Sequence, residues 1–347
     1  VEPRVTLTAP TYTASARTQV NSTWVDVAYG DLNATYTNVG VTGGTGSSAL
    51  FTVVKTGVAY TVTNTTAGTG YVKGDTLTIA GTSVGGVSTT NNITITVTNV
   101  SGLGGVTNFT STGIAAGGRF VAVSSTGGAT QYSSDGVTWY SGGALPSTGA
   151  WSHVESGNGR FVAVKSGTQS SAYSTNGGTT WTSGGSLTVS TNWNSVAYGN
   201  GYFVAISNNS TSTNYSSDGG LNWSSGGALP AGTWVDVAYG PGVWVAISTT
   251  TAGASSASNG ATWTSRTLPS PGAGTWKSVT WGNGRFIAVA TGSAATAYSL
   301  DGITWYSGGN LTASANWSNV SYGQGLFLAV STTCLLYTSD AADDTPC

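Results

Sequence analysis

Few side chains in this sequence could do chemistry, and their spacing limits what kind. There is one histidine, His153, and only two of the twelve acids are glutamates, Glu2 and Glu155. Glycoside cleavage by acid–base catalysis needs two carboxylates held a fixed distance apart. Asp135, Asp218 and Asp301 each sit in a Ser-x-Asp-Gly turn, where a short acid binds its own backbone. That leaves Asp26, Asp236, Asp31 and Asp75. Asp26 and Asp236 hold equivalent points in a repeat, and equivalent points are expected to spread around a ring rather than converge. The same argument makes Arg119, Arg160 and Arg285, each just before an aromatic strand residue, solvated turn residues. His153 stands at a strand start filled elsewhere by Asn194, Lys277 or Ser318, and reads as a surface or strand residue. A lone histidine with no neighbouring cysteine offers no metal-ligand spacing. No catalytic residue, no metal and no cofactor are expected.

The elements that carry these residues recur. WNSVAYGNGYFVAI, a polar loop and YSSDGGLNW run from Trp193 to Trp223, and the same pattern begins at Trp151, Trp234, Trp276 and Trp317. Steps between these tryptophans are 42, 41, 42 and 41 residues; a second series, Trp139, Trp181, Trp223, Trp263 and Trp305, advances by 42, 42, 40 and 42. Two markers with one period define a structural repeat. Each repeat offers four strand candidates separated by glycine-rich turns, with no helical period, which predicts an all-β fold of propeller blades. Five blades and a truncated sixth can be counted. The blade region is residues 24–30 and 118–333, because WVDVAYG at Trp24 finds its continuation, GRFVAV, only at Gly118. Residues 1–23 read as an N-terminal segment, a leading strand or a strand of a lost upstream part, with weak alternation at Val5 and Leu7.

Residues 31–117 interrupt the first blade at its hairpin tip, where insertions are best tolerated. Alternation at Phe51–Val53, Tyr60–Val62, Leu77–Ile79 and Ile93–Val97 predicts a small β-domain. GTGYVKGD, from Gly68 to Asp75, lacks the GK[ST] ending and following helix of a phosphate loop, and reads as a turn.

The turn between third and fourth strands follows S-x-D-x-G-x-x-W. Its residues are Ser133, Asp135 and Trp139; Ser174, Asn176 and Trp181; Ser216, Asp218 and Trp223; Asn259 and Trp263; and Ser299, Asp301 and Trp305. This resembles the Asp-box, or bacterial neuraminidase repeat, of sialidase-like propellers. The resemblance implies a propeller fold and a structural role for the box. Sialidases need three clustered arginines, a Tyr/Glu pair and an acidic proton donor, which this sequence does not supply in convergent positions, so a non-enzyme is expected.

The insert's GTGYVKGDTLTIAGTSVGG followed by NNITITVTNV resembles a module of marine tailed-phage structural proteins, through Gly70, Tyr71, Gly74, Asp75, Ile79, Gly81, Gly85, Gly86, Asn91, Asn92, Ile95 and Val97. That resemblance implies a tail or tail-fibre virion protein, with other virion proteins and host-surface glycan as partners and a homotrimer as a compatible assembly. Receptor contact is expected at the variable loops 207–214, 229–232, 291–296 and 311–314, since recognition favours variable loops on a rigid scaffold. The alternatives are a secreted sialidase-like glycoside hydrolase or lectin, and a bacterial surface propeller, both extracellular.

Composition narrows the classes further. Only 6% of residues are charged while aromatics reach 10%, and the net charge is −2. No basic field exists to recruit nucleic acid, and no apolar run approaches the ~18 residues of a membrane-spanning helix. Both cysteines fall in the tail, residues 334–347, whose Cys334–Asp344 run resembles a translated sequencing-library adapter and breaks the repeat. The absence of methionine suggests a fragment or a processed chain.

Overall fold

The computed structural model describes residues 24–30, 34–56, 59–84, 92–112, 118–134, 136, 138–323, 325–332 and 336–339. Apart from one 3-10 turn at Gly81–Val84, its regular elements are β-strands, paired antiparallel throughout. Six times, a strand that opens near a tryptophan pairs with the apolar strand that follows it. The openers, here called inner strands, are Trp24–Gly30, Trp151–Gly157, Thr191–Gly199, Trp234–Gly240, Thr275–Gly282 and Ala315–Gly323. Their partners are Arg119–Ser124, Arg160–Thr168, Tyr202–Ser207, Val243–Ser248, Arg285–Ser293 and Leu326–Ser331. A short third strand and a fourth of two to four residues complete the first five of these units. In the sixth, Leu336–Ser339 pairs with Leu326–Ser331 as a third strand, within the tail set apart in the sequence reading.

Each inner strand packs beside the inner strand of the next unit, so the six form a succession around a common axis. The partner strand lies inside its own sheet with neighbouring sheets on either face. This explains why Phe203 through Ser207 are all buried and why the sequence there is apolar without alternation. Ser166 and Thr168, at the end of one partner strand, also pair with Asn192 and Thr191 of the next inner strand, stitching two units into one sheet.

The opening tryptophans Trp151, Trp193, Trp234, Trp276 and Trp317 are fully buried. Each indole N–H donates to a carbonyl in the loop that leads into its strand, at Ser147, Val189, Pro230, Pro269 and Ala313, over 2.8–3.1 Å. Burying a tryptophan removes ~150–250 Å² from water, roughly 4–6 kcal/mol on area alone. Partnering the N–H keeps that gain from being lost to an unpaired donor. One residue past every opening tryptophan the register shifts by a bulge. Bulges re-aim side chains, so the residue two places after the tryptophan turns toward the neighbouring inner strand.

Residues 34–112 build a separate core. Two three-stranded sheets, Ala34–Gly40 with Leu50–Thr56 and Ala59–Thr66, and Thr76–Ile79 with Ile93–Val100 and Val106–Thr112, enclose Phe51, Val53, Tyr71, Leu77, Ile79 and Ile95. The alternating runs expected as strands all lie in these two sheets. Gly68 to Asp75 forms a turn: Asp75 accepts the Thr45 and Val72 N–H groups at 3.0 and 3.1 Å, and the Thr45 hydroxyl at 2.8 Å.

Candidate functional site

The third residue of each inner strand, counted from its tryptophan, is Asp26, His153, Ser195, Asp236, Ser278 or Asn319. His153 therefore aligns with these residues and not with Asn194, Lys277 and Ser318, which stand one place earlier. Together they make a polar belt in which one strand's side chain accepts from the backbone of the next. Asp26 accepts the Val154 N–H at 2.8 Å, His153 Nδ1 the Val196 N–H at 3.3 Å, Asp236 the Val279 N–H at 2.8 Å and Ser278 Oγ the Val320 N–H at 3.2 Å. The hydroxyls of Ser195 and Ser278 also donate to Asp236, at 2.8 and 2.9 Å.

This corrects the expectation that equivalent positions cannot converge. Inner strands are the innermost elements of the array, so their third residues lie at small radius and feel one another. His153 Nε2 is 3.4 Å from Asp26 Oδ2, their side chains 23% and 7% exposed. Arg119 and Arg160, farther out, do stay apart, yet they are half-buried rather than solvated. Each guanidinium stacks on a tyrosine of its own unit, 4.5 Å from the Tyr132 ring centre and 4.9 Å from that of Tyr173.

The second unit departs from the repeat. Where the other inner strands carry a small residue at the fifth place (Ala28, Ala197, Ala238, Thr280, Ser321), it carries Glu155. Burial pushes the Glu155 carboxyl up to about 7, against the pull of His153 and of the Ser156 N–H. Burial likewise raises Asp26, outweighing His153 and the Val154 N–H. At His153 burial opposes the charged form, but Asp26, Asp236 and Glu155 outweigh it, and its pKa is raised. One basic imidazole thus faces three carboxylates. Among the described residues no group of three or more His, Cys, Asp and Glu is arranged to hold a metal ion. Composition could not reveal this cluster, but the paired departures at His153 and Glu155 from an otherwise regular strand were a usable signal.

The turn residues lie away from this cluster. Asp218 Oδ1 accepts the Leu221 and Asn222 N–H groups at 3.1 and 2.9 Å and the Ser216 hydroxyl at 2.8 Å. Asp301 and Asn176 act alike, Asp301 toward Ile303 and Thr304 and Asn176 toward Thr180. In the fourth unit Ser258 accepts the Thr262 N–H, while Asn259, at φ 52°, stands where Gly219 does. Ser133 accepts the Gly136 N–H; Asp135 lies outside the described residues. Trp223 and Trp305 are buried; Trp139, Trp181 and Trp263 are half-buried. Of the loops, Ser207, Thr213 and Asn214 are buried strand residues, Thr291–Ser293 and Thr296 also belong to strands, and Leu229 and Leu311 are buried anchors.

No family model matches this sequence, and no curated protein matches it. Solved structures do. Virginiamycin B lyase from Staphylococcus aureus superposes with a TM-score of 0.53 at 12% identity, over 65% of this chain and 82% of that one. A streptogramin B lyase gives 0.52 at 10%, over 65% and 80%. YCF48 bound to D1 peptide gives 0.51 at 12%, over 96% of this chain and 97% of its own. With the all-β antiparallel architecture, these likenesses establish the fold. It is a β-propeller. The expected phage virion protein is overturned, because these propeller neighbours are lyases and a peptide-bound protein, not phage structural proteins. What they share with this chain is a general scaffold, which does not carry the tail-fibre, sialidase-like or surface-protein settings. No helix among the described residues is long and apolar enough to cross a membrane.

Proposed function

We propose that this propeller is a non-catalytic scaffold that binds a segment of a partner protein at its axis, setting a basic side chain against Glu155. One observation carries the reading: among the described residues, Glu155 is an inner-strand carboxylate that accepts no hydrogen bond from a neighbouring strand. Asp26 and Asp236 are occupied in joining inner strands, whereas among the described residues Glu155 accepts only the N–H of its own neighbour Ser156, at 2.6 Å. Every other unit manages with Ala, Thr or Ser at this place, so the architecture does not require an acid there. A cation could take the place of the proton that burial retains. The fold neighbour YCF48, which spans nearly the whole chain, is solved with a bound peptide. The non-catalytic part rests on His153, both of whose ring nitrogens are engaged, one by Val196 and one by Asp26.

In this reading the six units are blades, residues 31–117 are a domain inserted into the first, and the Ser/Asp turns are Asp-box-type folding devices. Panning random heptapeptides on the intact protein tests the binding site. Enrichment of Lys- or Arg-bearing peptides, stronger at pH 8 than at pH 6 and lost in Glu155→Ala, is expected. Equal enrichment by Glu155→Ala would overturn it.

A further inference from the structure

Asparagine followed by glycine occurs five times, at Asn158, Asn176, Asn200, Asn259 and Asn283. Asparagine is chemically labile, and a following glycine has no side chain to shield its backbone nitrogen. That nitrogen can attack the asparagine Cγ. The N–Cγ bond forms, the Cγ–Nδ2 bond breaks, and the side-chain amide leaves as ammonia with the glycine N–H proton. Water then opens the cyclic imide at either carbonyl, leaving aspartate or isoaspartate. We infer, independently of the axial binding site, that Asn158 and Asn283 are sites of this spontaneous modification in the folded protein, whereas Asn176, Asn200 and Asn259 are held back from it.

Three of the five pairs are the two-residue turns that join an inner strand to its partner. Gly157 pairs with Arg160, Gly199 with Tyr202 and Gly282 with Arg285. Asn158, Asn200 and Asn283 hold φ of 50°, 49° and 43°, and Gly159, Gly201 and Gly284 hold 72°, 82° and 74°. Positive φ at both places is the primed turn that Asn-Gly favours. All three asparagines are exposed. Closing the imide needs rotation about the asparagine Cα–C and Cα–Cβ bonds, which an exposed hairpin tip allows at low free-energy cost and a tethered side chain resists. The backbone therefore gives three equal candidates, and the side chains separate them. Asn200 Nδ2 donates to Asn259 Oδ1 at 3.2 Å, which ties its turn to the third-to-fourth-strand turn of the next unit and engages both amides. Asn176 Oδ1 accepts the Thr180 N–H at 2.9 Å and the Ser174 hydroxyl at 3.0 Å, and its Nδ2 donates to the Thr180 hydroxyl at 2.8 Å. Asn158 and Asn283 make no side-chain hydrogen bond among the described residues. Around Asn158 the reason is local: the residue of the next unit that matches Asn259 is Gly219, which has no side chain to reach back. Either product adds a negative charge, and isoaspartate lengthens the backbone of a two-residue turn by one methylene group.

Incubating the intact protein at pH 8 in heavy-oxygen water and then mapping its peptides by mass spectrometry reads the reaction, because only imides opened during the incubation take up the label. Asn158 and Asn283 should convert several-fold faster than Asn176, Asn200 and Asn259. Unfolded in urea, all five should convert at similar rates, since each precedes a glycine. Asn259→Gly keeps a residue suited to the positive φ there and removes the acceptor, so it should raise the Asn200 rate toward that of Asn158. Similar rates at all five sites in the folded chain, conversion in urea alone, or an Asn200 rate unchanged by Asn259→Gly would overturn the inference.

Discussion

At the residue scale, two kinds of acid titrate in opposite directions. At Asp301 the Thr304 and Ile303 N–H groups hold the carboxylate below its usual range; at Asp218 burial pulls upward, but hydrogen bonds from Asn222, Ser216 and Leu221 win. Stability from such groups is present above the ordinary aspartate range and is lost as pH falls below it, through their lowered folded values. Glu155 and His153 have raised folded pKa values, so each retains its proton longer folded than unfolded. Stability from Glu155 is therefore present below pH 4.5 and lost as pH rises to about 7. We predict that Tm falls between pH 5 and pH 8, and that Glu155→Ala flattens much of that slope, as read by circular dichroism melts. A raised Tm at pH 8 relative to pH 5 would contradict the burial of this carboxyl.

At the element scale, the junction between units is decided by a glycine. Gly199 has an ordinary backbone conformation, so its requirement is room for the Tyr239 ring and not a positive φ. Gly199→Ala is expected to cost about 1–3 kcal/mol by overpacking, measured by urea unfolding. Gly309→Ala, with no atom within 4 Å of the new methyl group, should be close to neutral. The linking loops are similarly constrained. Leu187, Leu229 and Leu311 each donate a backbone N–H to the loop between second and third strands of their own unit, at 2.8 Å, and bury their side chains. Sequence variability there coexists with fixed anchors, so loop variation alone did not identify a recognition surface.

At the scale of the whole molecule, the insert and the array have separate cores. The insert's cluster runs from Tyr36 to Phe109, and the array's clusters draw on Ala28 and on residues from Val121 onward. Replacing residues 31–117 by one asparagine would recreate at Gly30-Asn-Gly118 the Gly199-Asn200-Gly201 turn, where Asn200 sits at φ 49°. The shortened chain is expected to keep the array's Tm and far-ultraviolet spectrum. A loss of cooperative unfolding would show instead that the two cores depend on each other.

The repeat, its four-strand content and the alternating insert were legible in the sequence because tryptophan spacing and period-two alternation are local records of burial. So was the turn chemistry, since Asp218 and Asp301 bind backbone within four residues of themselves. The axial cluster was not, because its members lie as far apart as Asp26 and Asp236 in sequence. Only the radius at which the inner strands are held brings Asp26 to His153. Whether equivalent residues meet or stay apart depends on distance from the axis, a property of the assembled array that no single repeat encodes.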